Sequence, residues 1–180
     1  MSTRTVHKLY WDFEKEERWL NEMAARGLNL VRYRWGTYTL EQGTPGEWTY
    51  RIELLPEVAR HPDSVKYLDF MADAGVETIA TYLRWVYFRK RAAEGPFELY
   101  SDTDSRIAHY TRVMTMYGAL TAALTASTAS GLHSVTSNGL NFFSAPLFAV
   151  QIAILVAFAT YTLRVALRVR SLKTQKQLFE

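Results

Sequence analysis

The sequence predicts an α+β protein: a ferredoxin-like antiparallel sheet with two helices on one face, followed by a two-helix transmembrane hairpin. Three observations predict it. Over residues 1–92, strand-type alternation and helix-type periodicity follow one another, separated by glycine and proline. Residues 113–163 contain no Lys, Arg, Asp or Glu, whereas residues 1–112 carry 16 basic and 17 acidic side chains. Residues 164–180 then carry 5 basic and 1 acidic residue, so the excess positive charge sits mainly in the tail.

The elements can be justified in order. Val6 to Trp11 reads as a short first strand. "DFEKEERWLNEMAARG" reads as a helix: Asp12 is placed to cap it, glutamates load its first turns where the dipole favours them, and Gly27 ends it. Phe13, Trp19, Leu20, Met23 and Ala24 form its apolar stripe. "LNLVRYRW", "TYTLEQ" and "WTYRIELL" alternate with period two and supply the sheet, with turns at Gly36 and at Gly43 to Gly46. "PDSVKYLDFMADAG" gives a second helix with Val65, Leu68, Met71 and Ala72 inward, and "VETIATYLRWVYFRKR" gives one bent strand or two short ones. The cytoplasmic domain therefore spans residues 1–92, and a juxtamembrane connector, 93–112, carries it to the bilayer, with Ser101 or Asp102 as a helix cap.

The uncharged stretch, 113–163, divides into spans at about 113–132 and 146–163, joined by "HSVTSNGLNFFS". Each charge near a helix centre would cost about 2.5–3.5 kcal/mol in lipid, so such a run is what a bilayer selects. Twenty residues match the roughly 30 Å hydrocarbon core. The first span is rich in Ala, Thr, Ser and Gly. Gly118, Ala122, Ala126 and Ser130 lie four apart, as do Ala119, Ala123, Ser127 and Gly131, and either row offers a face for close helix packing. Gln151, one turn into the second span, needs a polar partner, which Ser127 or Ser130 can supply. Arg106 and Arg112 precede the first span; Arg164, Arg168, Arg170, Lys173 and Lys176 follow the second; the loop between has no basic residue. The positive-inside rule then puts both termini in the cytoplasm of a cell-membrane protein with two spans. The N-terminal segment has no apolar core of the length a secretory signal requires, in keeping with that topology.

"WDFEKEERWLNEMAARGLNLV", "GTYTLEQGTPGEWTYRIELL" and "YLRWVYFRKRAAEGPFELYSDTDSRIAHYTR", with the paired spans, resemble the bacterial family called domain of unknown function 2812. The resemblance is close over residues 7–112 and positional in the spans. It implies a membrane protein with a small cytosolic domain, found mostly in Gram-positive bacteria and often encoded near PadR-type regulators. It transfers no catalytic residue.

The chemistry is sparse. With no cysteine there is no disulfide framework, thiolate metal site or Cys nucleophile. The histidines at 7, 61, 109 and 133 have no second ligand at metal spacing. Asp102-Thr103-Asp104 lacks the later ligands of a calcium loop. No phosphate loop or nucleophile elbow occurs, and we expect no catalytic, cofactor or metal site. "RWVYFRKR" could stack bases, but residues 1–112 have no broad basic field, so nucleic acid is not the expected partner. Arg89, Lys90 and Arg91, with Arg164, Arg168 and Arg170, are instead expected to meet anionic membrane lipid. Aromatics fill a core or line a groove on the uncovered sheet face, where Arg32, Arg34, Arg51, Trp85 and Tyr87 would hold a ligand. The expected function is a non-enzymatic, membrane-anchored cytoplasmic module in regulation. It would bind a regulatory protein or ligand and pair with itself or another membrane protein through the hairpin. The alternative is a structural accessory subunit whose working surface is the hairpin.

Overall fold

The computed structural model describes residues 3–100, 102–139 and 144–179. The chain forms two compact units, Met1–Ser101 and Asp102–Glu180.

The first unit contains β1 (Thr3–His7), α1 (Phe13–Ala25), β2 (Leu28–Arg34), β3 (Thr37–Gln42), β4 (Trp48–Leu54), α2 (Pro62–Asp73), β5 (Glu77–Tyr82) and β6 (Trp85–Arg91). A 3-10 turn, Ala92–Glu94, follows. The single ferredoxin-like sheet is corrected here: the six strands form two three-stranded antiparallel sheets, β1-β3-β2 and β4-β6-β5. The Gly43 to Glu47 turn carries the chain out of the first sheet, and β4 pairs with β6 rather than with β3. The last strand-like stretch divides at Leu83-Arg84 into β5 and β6, which pair as a hairpin. Alternation predicts strands well, but partner choice depends on contacts distant in sequence.

The two sheets are two copies of one plan. Each half runs strand, helix, strand, strand, and each sheet places its last strand in the middle. The sequence repeats with the plan: "WLNEMAARG" at 19–27 returns as "YLDFMADAG" at 67–75, 48 positions on, with Leu, Met, Ala and Gly identical. The same shift of 48 relates the register slips, between Leu30 and Arg32 in β2 and between Thr78 and Ala80 in β5. It also relates the hairpin tips Trp35-Gly36 and Leu83-Arg84. Gly27 and Gly75 end the two helices at φ 76° and 79° and donate to Ala24 and Ala72 at 2.9 and 3.0 Å. A side chain at Gly27 would also meet the Gly43 carbonyl at 2.7 Å, because the β3–β4 turn folds over this corner.

The halves differ in what their helices do. α1 buries Phe13, Glu16, Leu20 and Ala24 and contacts both sheets, whereas α2 buries only Ser64 and Met71. The Asn21 side chain of α1 accepts from the Tyr50 amide at 2.9 Å and donates to the Tyr50 carbonyl at 3.0 Å. Glu17 accepts from the Ile52 amide at 2.9 Å. Two helix side chains thus stand in for the neighbour that the edge strand β4 lacks, closing an edge that could otherwise recruit another chain. On the other side of β6, Val86 and Phe88 join Leu55, Met71, Val76 and Phe97 in a second apolar cluster, with Leu99 against it. The strap after β6 reverses at Gly95 (φ 94°), and this brings Phe97 back over the sheet.

The second unit consists of α3 (Thr103–Asn138) and α4 (Ser144–Phe179), each of 36 residues, packed antiparallel. Asp102 caps α3, accepting from the Ser105 amide at 2.7 Å. Hydrogen bonds donated by the Ser105 amide and hydroxyl hold its carboxyl below the usual range. Ser101, the other possible cap, and residues 140–143 of the linking turn lie outside the described residues. Among the described helices only one, over Ala145–Gln177, is long and apolar enough to cross a membrane. Of the two expected spans, the second, 146–163, lies within that helix, and the first, 113–132, falls short of the same measure. Small side chains and hydroxyls in 113–132 supply too little apolar surface, although the helix is long enough. Most of those hydroxyls turn inward: Thr121, Thr125 and Thr128 donate to the carbonyls of Tyr117, Thr121 and Leu124, each at 2.8 Å.

Candidate functional site

The most concentrated chemistry in the first unit lies where α1 meets both sheets. Glu16 is buried, and one oxygen, Oε1, accepts from the Tyr38 hydroxyl at 2.6 Å and from the Tyr87 hydroxyl at 2.7 Å. Tyr38 comes from β3 and Tyr87 from β6, so this carboxyl joins the two halves. Tyr33 stacks against both, with ring centroids 4.9 Å from Tyr38 and 4.5 Å from Tyr87. Trp19 meets Tyr38 edge-on at 4.8 Å. Burial pushes the Glu16 carboxyl up, against the opposing pull of its two tyrosine donors. The same burial, with the carboxyl alongside, drives both tyrosine hydroxyls far above their ordinary range, so they remain donors. Nearby, Tyr50 donates nothing to Glu16; its hydroxyl oxygen accepts from the Leu30 amide at 2.9 Å, at the register slip in β2. The carboxyl and both tyrosine hydroxyls are buried against one another, and the arrangement reads as an internal clasp.

The residues expected to line a groove are dispersed. Arg51 turns to Glu17 at 3.3 Å and lies over the Phe97 ring, and burial keeps the Glu17 carboxyl raised despite this cation. Trp85 packs on Phe13 with centroids 5.6 Å apart, and Tyr87 belongs to the clasp. Arg32 and Arg34 are exposed on β2. The "RKR" run at the end of β6 is neutralised: Arg89 meets Glu77 at 2.7 Å, Lys90 meets Glu94 at 3.7 Å and Arg91 meets Glu47 at 2.9 Å. Arg89 and Arg91 also lie over the Trp48 ring.

The opposite end of the unit has another character. The Lys8 amide donates to the Gly36 carbonyl at 2.8 Å, and Leu9 covers the tip of the β2–β3 hairpin. Tyr82 lies 6.1 Å from Tyr33 and 6.0 Å from Trp35 between ring centroids, which sets the β5–β6 tip beside the first. Leu9, Trp35 and Leu83 are 72%, 69% and 71% exposed there. Trp35 and Leu83 also hold φ of 36° and 55°. A left-handed backbone costs a bulky L-residue about 1–2 kcal/mol, and at both tips it is spent on residues that project apolar side chains outward.

In the hairpin, Gln151 donates to the Ser127 hydroxyl at 2.9 Å. Tyr117 packs on Tyr161 at 4.6 Å, Thr121 meets Thr162 at 3.1 Å, and Lys176 pairs with Asp104 at 2.7 Å. A side chain at Gly131 would meet the Phe148 ring at 2.9 Å. The row Gly118, Ala122, Ala126 and Ser130 lies off this contact line: Gly118 has open space where a Cβ would be, and the other three are exposed. Arg164, Arg168 and Arg170 are exposed on α4. Among the described residues, no group of three or more His, Asp and Glu side chains is placed to hold a metal ion.

Sequence reasoning missed the clasp. Glu16 reads as one of several glutamates favouring a helix start, yet its spacing from Phe13, Leu20 and Ala24 sets it on the buried stripe, and the 48-residue repeat aligns it with buried Ser64 on α2. Comparison with known families matches residues 12–122 to the model described as "Protein of unknown function (DUF2812)". That stretch runs from the cap of α1 through both halves into α3. No curated protein and no solved structure matches.

Proposed function

The chain belongs to the DUF2812 family, and from that premise we propose that it is a membrane-anchored binding module without catalytic activity of its own. One observation carries the reading: α4 presents Leu147, Val150, Ile152, Ile154 and Val156 to its surroundings, with only 6% of its most apolar stretch buried. Water penalises such a surface; hydrocarbon does not. Arg164, Arg168, Arg170 and Lys173 follow that stretch and can reach headgroups. α3 accompanies α4 as the weaker second span, most of its hydroxyls bonded within its own helix, and both termini are cytoplasmic. The first unit then works at the inner membrane face, where it binds a regulatory protein or ligand; the burial of its clasp supports a structural part for those residues in such a module. Nucleic acid is not its partner.

A second reading makes the hairpin the working part of a structural accessory subunit. The outward row of Ala122, Ala126 and Ser130 favours it, because small residues turned away from α4 can admit another helix.

Labelling from either side of the membrane tests the anchor, since the chain has no cysteine of its own. Cysteine at Gly139 should react with an impermeant reagent outside the cell, and cysteine at Gln175 only after permeabilisation. Recovery of the chain in the soluble fraction, or labelling of both positions from one side, would overturn the topology. Ala122→Leu with Ala126→Leu separates the readings: function survives in the first and is abolished in the second.

A further inference from the structure

We propose that the paired hairpin tips of the first unit form a docking surface for an anionic lipid bilayer. The inference rests on the membrane-anchored reading and adds a second point of attachment to it. Leu9, Trp35 and Leu83 stand exposed at one end of the unit, drawn together by the Lys8–Gly36 hydrogen bond and by the Tyr82 ring between the tips. Trp11, 58% exposed, lies in the adjoining loop.

Charge complementarity selects the occupant. Residues 7–11, 31–37 and 82–86 contain no Asp or Glu, while Lys8, Arg32, Arg34 and Arg84 are basic. Asp12 follows and is committed to the cap of α1. Among the described residues, no carboxylate lies within ion-pair distance of Arg32 or Arg34, whereas every cation of the Arg89–Arg91 run has its glutamate. The sequence pointed to that run, with Arg164, Arg168 and Arg170, as the lipid contact; at the tips, Lys8 lies over the Tyr10 and Trp19 rings and Arg84 donates to the Leu55 carbonyl, which leaves exposed Arg32 and Arg34 to meet headgroups. Exposed tryptophan and leucine rimmed by arginine and lysine suit the boundary of headgroup and acyl chain, where indole rings settle and basic side chains meet phosphate. The left-handed backbone at Trp35 and Leu83 keeps both side chains projecting from the tips. A bilayer is also always at hand, because α4 is part of the same chain.

The test uses the full chain reconstituted in vesicles of phosphatidylglycerol and phosphatidylcholine. Single cysteines replace Leu83 at the tip and Thr44 in the β3–β4 turn, each carries a nitroxide, and collisions with oxygen and a water-soluble nickel chelate report depth. The expected result is a label at 83 about 5–10 Å below the headgroup surface and a label at 44 in water, with the depth at 83 lost in phosphatidylcholine alone. Water-like collisions at both positions in chains that float with the vesicles would overturn the docking surface and leave the anchor standing. Shielding of residue 83 from both reagents would overturn it in favour of a protein partner or a second copy. Chains that fail to float would refute the anchor itself, and the docking surface with it.

Discussion

The two halves of the first unit share a plan and divide its labour. α1 and α2 share a nine-residue pattern, yet α1 packs against both sheets while α2 covers one cluster. The difference sits in a few aligned positions. Where α1 has Glu16, Asn21 and Glu22, α2 has Ser64, Asp69 and Phe70. The first two α1 residues reach into the other half, to Tyr87 and to the Tyr50 backbone. A repeated fold therefore need not be a symmetric one: one copy's helix can take over the junction, and its twin is then free to remain peripheral.

Substitutions at aligned pairs should break that comparison in order of size. Glu16→Ala leaves two buried tyrosine hydroxyls without an acceptor and should cost about 3–4 kcal/mol. Ser64→Ala removes one long contact to the Glu57 carbonyl, at 3.4 Å, and should cost about 1 kcal/mol or less. The urea midpoint, followed by tryptophan fluorescence, reads both, since all five tryptophans lie in the first unit. Equal losses would mean that the halves are equivalent after all. Next, Asn21→Ala uncovers the Tyr50 amide and carbonyl at the edge of β4 and should cost about 2 kcal/mol. Its counterpart, Asp69→Ala, lies on an exposed face and should stay within about 0.5 kcal/mol. Hydrogen exchange at the Tyr50 amide should accelerate in the first variant alone.

The smallest effect concerns pH. Burial raises the carboxyls of Glu16 and Glu17 above their ordinary value of 4.5, so the folded state holds these protons more tightly than the unfolded chain. Their stabilising contribution is complete below pH 4.5 and is lost as the pH rises through the folded-state values. Glu16→Gln should flatten part of that decline in a series of urea midpoints from acid to neutral pH. A slope unchanged by the substitution would show that Glu16 binds its proton alike in the folded and unfolded chain.

Much of this plan is legible in the sequence, and the illegible parts have a common cause. Asp12, Gly27 and Gly75 announce helix boundaries because caps and left-handed stops are local. Alternation in "TYTLEQ" and "WTYRIELL" announces strands for the same reason. The allotment of β3 and β4 to different sheets depends on the β4–β6 pairing, between residues about forty positions apart, which no local pattern encodes. The partners of Glu16 are equally hidden: its spacing from Phe13 and Leu20 sets it on the buried face, but no local pattern names Tyr38 and Tyr87. In the hairpin, the four-residue rows are plain in sequence, but the pairing with α4 falls on Tyr117, Thr121 and Ser127, which sets Ala122 and Ala126 aside.

The unbroken course of α4 has a mechanical consequence. A helix of 36 residues is a rod about 54 Å long, and tilting it by about 10° about one end carries the other through about 9 Å. The ion pair of Lys176 with Asp104 ties the far end of that rod to the first turn of α3. A displacement near Ser144 is therefore carried along one unbroken helix to the ion pair with Asp104, in the first turn of α3.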